Sequence, residues 1–112
     1  RVAQRFVDAI MREDTEAFLN LLTEEVSWIS DGGGKALAAT KAVHGTRAAS
    51  RLAMGLARRW RGRWQAMVAP VNGQPGVLLY VEGSLHAAMA LETDGAKVLR
   101  IYSIVNPDKL RF

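Results

Sequence analysis

The order of patterned segments along this chain predicts an α+β fold, with three helices and a mainly antiparallel β-sheet. Three observations carry the prediction. Apolar residues recur every three or four positions near the N-terminus and again mid-chain, the period of amphipathic helices. Four β-prone segments separated by turn-forming residues fill the second half. Helices ahead of a closing run of strands is the order of an α+β domain, not the alternation of a parallel α/β sheet.

Val2, Phe6, Val7, Ile10 and Met11 share one helical face, with Arg1, Arg5, Asp8 and Arg12 on the other. Asp14 reads as the N-cap of a short second helix over 15–22, apolar at Ala17, Phe18, Leu21 and Leu22. Residues 26–30 read as a strand that ends at Asp31-Gly32-Gly33-Gly34-Lys35, and 36–43 as its extended return arm. Thr46 is the expected cap of a third helix reaching Arg59, with Ala49, Leu52, Ala53, Leu56 and Trp60 as its apolar stripe. Strands are expected over 63–71, 76–82, 84–92 and 96–105, joined by turns at Asn72-Gly73-Gln74-Pro75 and Asp94-Gly95. Pro107 blocks continuation of the last strand.

The 112 residues make one domain, 1–112, large enough to bury a core. Hydrophobic residues at 49% and charged residues at 23% are ordinary for a soluble globular protein. No apolar run is long enough to predict a transmembrane helix, no signal peptide is visible, and no membrane partner is expected. The absence of cysteine excludes disulfides, thiol catalysis and cysteine-ligated metal, and suits a reducing cytoplasm. With two histidines and no cysteine, neither a transition-metal site nor a cofactor is expected. The first residue is Arg1 rather than methionine, so the chain is expected to be a trimmed product or the tail of something longer. Charge is uneven: residues 1–31 carry seven acids and three bases, whereas 32–63 carry eight bases and no acid. That basic block could steer an acidic partner.

A reverse turn needs positive φ at one or two positions, so a third consecutive glycine at 32–34 adds unfolded-state entropy that no turn requires. The loop fits a hairpin turn, an anion cradle or a docking surface that another backbone can approach closely. It lacks the spacing and the Ser/Thr of a P-loop, and no nucleotide site is predicted. Near the C-terminus stands a second motif, Asn106-Pro107-Asp108-Lys109-Leu110: a turn stiffened by proline, with both charge signs and an apolar anchor.

These two motifs, with His44-Gly45 ahead of a helix, resemble the SnoaL-like C-terminal domain of a group of bacterial extracytoplasmic-function (ECF) RNA polymerase sigma factors. The resemblance runs from the first helix to Leu110. It implies a cone-shaped SnoaL-like (nuclear-transport-factor-like) fold, three helices packed on a curved sheet. It also implies an in-cis regulatory domain of a cytoplasmic protein, controlling transcription initiation. Asp31, Gly32, Gly33, Gly34 and Lys35 would contact the sigma regions or linker of the same polypeptide, and Asn106, Pro107, Asp108, Lys109 and Leu110 would form a second control element. RNA polymerase core would be an indirect partner. A homodimer and a small-molecule ligand in the cone stay open.

Ketosteroid isomerase, SnoaL-type cyclases and limonene epoxide hydrolase share that cone architecture, and their chemistry needs an acid–base group inside it. The alternative function is therefore a small-molecule isomerase, cyclase or hydrolase, although a non-catalytic role is expected. Glu82, Glu92 and Asp94 all sit at expected strand ends or turns. His86 lies mid-strand in the alternation Ser84, His86, Ala88, Ala90 and is the candidate base, with Tyr80 or Tyr102 nearby; it reads more readily as a satisfied histidine on a sheet. Asp31 is the other acid candidate, unless it pairs with Lys35. Arg58, Arg59, Arg61 and Arg63 interleave with Trp60 and Trp64. That pattern can bind single-stranded nucleic acid but more often marks a solvated helix end, so direct DNA binding is not expected.

Overall fold

A computed structural model describes residues 1–31 and 41–105. Gly32–Lys35, residues 36–40 of the expected return arm, and Asn106–Leu110 lie outside the described residues, as does the side chain of Asp31.

Helix α1 (Val2–Met11) and helix α2 (Thr15–Asn20) are separated by Glu13, held at φ 53°. Asp14 caps α2 as its sequence position predicts: its carboxylate accepts the Ala17 N–H at 3.1 Å. α2 stops at Asn20 because strand β1 (Leu22–Asp31) starts earlier than the apolar pattern suggests. Thr23, Glu24 and Glu25 hide that start, and the register of β1 slips between Leu22 and Ser27. Strand β2 (Lys41–His44) leads into helix α3 (Thr46–Arg59). Here Gly45, at φ 88°, takes the N-cap position expected of Thr46, which is instead the first helical residue; no side chain caps the helix. The Gly45 N–H bonds the Val26 carbonyl at 2.8 Å and so ties this entry to β1.

Strands β3 (Trp64–Val68), β4 (Gly76–Val81), β5 (Ser84–Thr93) and β6 (Val98–Val105) complete the fold. β4 and β5 are joined through Glu82 and Gly83, both at positive φ, the conformation of a two-residue hairpin turn. Gly76 is required by close approach: a Cβ there would lie 2.8 Å from the carbonyl oxygens of both Ala69 and Met89.

The six strands form one sheet in the order β2-β1-β6-β5-β4-β3. β1 and β6 are parallel and every other pair is antiparallel. This is the α+β cone fold, a curved, mainly antiparallel sheet with three helices. Phe6 and Phe18 meet at a centroid distance of 5.3 Å and pack with Val26, Leu91, Val98 and Ile101 in a fully buried core.

The register gathers particular residues at one end of the sheet. Asp31 faces Ile104 across the parallel pair, Val105 faces Ala87, and Val81 faces both Ser84 and Trp64. The last residues of β1, β6 and β4 and the first of β5 and β3 therefore share that end.

Candidate functional site

A cavity of about 200 Å³ lies toward that end, between α1, α3 and the sheet. Trp28, Trp60 and Trp64 form walls, with Leu52 and Leu56 contributed by α3. Sequence periodicity points to this role for the tryptophans: Trp60 closes the apolar stripe of α3, and Trp28 lies in an apolar strand. Three polar side chains reach the lining, Ser30, His86 and Ser103. Among the described residues no aspartate, glutamate, lysine or arginine lines it.

His86 enters the cavity by a route that simple alternation misses. Leu79 pairs with Ala87 and the next residue, Tyr80, pairs with Leu85, so His86 is an extra residue in β5. Such a bulge turns the side-chain sequence over. His86 therefore lies with Ala87 and Met89 on the cavity lining, not with Ala88 and Ala90 as the alternation suggests. Its ring meets Trp60 edge-on at 4.6 Å. Burial holds its pKa below the ordinary imidazole value of 6.5, because desolvation disfavours the cation.

The expected tyrosine neighbours are not there. Val77 and Leu79 line the cavity, so the period of two directs Tyr80 to the opposite face of β4. Tyr102 lies with Ala90, Glu92 and Arg100 around a second recess of about 190 Å³ on the outer face. The inner polar groups that the sequence reading missed are Ser30 and Ser103, Cα partners across the parallel pair. Ser30 closes an apolar segment and Ser103 interrupts one, but only the long-range pairing brings them together.

The arginine-rich stretch after α3 is committed elsewhere. Arg61 makes a two-pronged bond to Glu13, Nε to Oε2 at 2.7 Å and Nη2 to Oε1 at 2.6 Å, which joins the α1–α2 turn to the α3–β3 turn. That bond holds the Glu13 carboxyl below its usual pKa. Arg63 pairs with Glu82 at 3.3 Å and also donates to the Arg59 carbonyl at the end of α3. Trp60 and Trp64 line the cavity, and the Arg59 guanidinium lies over the Trp60 ring, 6.0 Å from its centroid.

No helix among the described residues is long and apolar enough to cross a membrane. Asp31 ends β1 with its backbone paired to β6, and Gly32–Lys35 and Asn106–Leu110 continue in sequence from the ends of β1 and β6.

No family model matches the chain. It is 32% identical to the ECF RNA polymerase sigma factor SigJ of Mycobacterium tuberculosis over 117 aligned residues, which cover 96% of this chain and 38% of that protein. The crystal structure of SigJ matches 98% of this chain and 43% of its own, at a TM-score of 0.72 and 30% identity. An LEH-like epoxide hydrolase of Mycobacterium tuberculosis has a TM-score of 0.61 at 14% identity, with 99% of this chain and 84% of that one covered, a likeness of fold alone. The chain spans well under half the length of the sigma factor it matches.

Proposed function

Because the chain belongs with the SnoaL-like domains of bacterial ECF sigma factors, we propose that it acts as an in-cis regulatory and interaction domain controlling transcription initiation. It contacts the sigma regions or their linker through Asp31–Lys35 and Asn106–Leu110, and RNA polymerase core only indirectly, in the cytoplasm. The observation that carries this reading is the parallel pairing of β1 with β6, with Asp31 opposite Ile104. Parallel neighbours end on the same side, so the two segments leave the sheet from adjacent strands and can serve one partner surface together. The chemistry of the segments suits that use. Three glycines present main chain to an approaching backbone, Asp31 with Lys35 and Asp108 with Lys109 supply both charge signs, and Leu110 supplies an apolar anchor.

An isomerase, cyclase or hydrolase is favoured only by the cavity and by His86. Without a carboxylate among the described lining residues, His86 has no partner there to orient it as a base.

The test is promoter-directed transcription by the intact sigma factor carrying Gly33→Trp or Lys35→Glu. A several-fold change in transcript, with loss of crosslinks between this domain and the sigma regions, is expected. Unchanged transcription with unchanged crosslinks overturns the proposal.

A further inference from the structure

We propose that the cavity is a receptor site for a small, uncharged, ring-bearing molecule with one hydrogen-bonding group, and that its occupation is read at the paired ends of β1 and β6. The receptor claim stands on the cavity alone; the readout rests on the function proposed above.

Size comes first. The cavity, open to solvent on one side, measures about 200 Å³. An apolar cavity of about 150 Å³ takes up benzene, so this one has room for two fused rings. Chemistry comes next. The indoles of Trp28, Trp60 and Trp64 offer faces and edges to a flat ring. No charged side chain among the described residues lines the space, so an ionised ligand would lose its hydration without a counter-charge. The three polar groups, Ser30, Ser103 and His86, can each donate or accept one hydrogen bond, which selects a hydroxyl, a carbonyl or a ring N–H on the ligand. Burial favours the neutral imidazole, in keeping with an uncharged guest.

Position supplies the readout. Ser30 and Ser103 are partners across the parallel pair, one residue before Asp31 and two before Val105, and Val105 faces Ala87, the residue after His86. A guest that engages these groups bridges β1, β6 and β5 at the end from which both interaction segments depart. It therefore favours whichever arrangement of those strand ends binds it better.

The experiment is calorimetric titration of this chain with 2-naphthol and, separately, 2-naphthoate at neutral pH, followed by amide exchange at Ser30, Asp31, Ser103 and Ile104. 2-Naphthol is expected to bind one per chain, with 2-naphthoate about tenfold weaker or worse. Ala66→Phe and Leu56→Phe each extend a lining side chain, and either variant that keeps the native circular dichroism should weaken 2-naphthol by about tenfold. Exchange at the four amides should slow several-fold when 2-naphthol is bound. No binding of 2-naphthol, equal binding of 2-naphthoate, or full binding by both folded variants overturns the receptor site. Binding without slower exchange overturns the readout and leaves the interaction role intact. Binding with slower exchange beside a failed Gly33→Trp test retains the receptor and removes the interaction role.

Discussion

The two ends of the sheet are built differently from the same strands. At one end Leu22 pairs with Val98, Leu91 packs beside them, and no room is left. Gly76 lies at that end because nothing larger fits between Ala69 and Met89. The Asp94 carboxylate closes the β5–β6 loop by accepting the Ala96 and Lys97 N–H groups at 2.9 and 2.8 Å, which also lowers its pKa. At the other end the filling is aromatic, a bulge turns His86 inward, two serines replace aliphatic side chains, and a cavity remains. Close packing is concentrated at the first end, and the space, polar groups and strand exits at the second. The fold is thus divided into a closely packed end and an end with a cavity, and the two segments proposed to make contacts continue in sequence from the latter.

The largest effect that would sharpen this contrast is expected from core truncation. Leu91→Ala at the packed end should cost about 2–5 kcal/mol, whereas Leu56→Ala at the cavity wall should cost roughly 1–2 kcal/mol, because that side chain already borders empty space. Denaturant midpoints at unchanged m-value read both, and equal costs would break the contrast. Gly76→Ala comes next, at about 1–3 kcal/mol, since its new methyl must push apart two backbone carbonyls; thermal unfolding measures it. The smallest effect is pH-linked. The folded-state pKa of His86 lies below the ordinary 6.5, so the unfolded chain binds more protons as pH falls through that value. Stability should therefore decline as pH drops from neutral through 6.5 toward the folded-state pKa, and His86→Gln should flatten that part of the melting-temperature profile.

Much of this was legible from local pattern. α1 and α3 follow from apolar residues at spacings of three and four, and the Asp14 cap follows from a short acceptor ahead of Thr15. The tryptophan walls of the cavity follow from the same stripes. Non-local features were not legible. Thr23-Glu24-Glu25 carries no strand signal, yet β1 begins at Leu22 because Leu22 meets Val98 far along the chain. Alternation assigned His86 to the wrong face because one extra residue in β5 inverts the pattern, and nothing in the sequence marks where it is inserted. Tyr80 and Tyr102 were misplaced beside it for the same reason. The parallel pairing that sets the two motif-bearing strands side by side joins residues more than seventy positions apart.

Among the described residues β6 is the last strand in sequence but the third in the sheet, between β1 and β5. Until residues 98–105 have left the ribosome, the β2-β1 hairpin and the β3-β4-β5 meander have no strand to bridge them. A chain ending before Val98 should yield two unjoined half-sheets with bare edges, prone to self-association. Completion of the sheet thus waits on synthesis of β6, and a copy that stops short of it is expected to leave its edges unpaired.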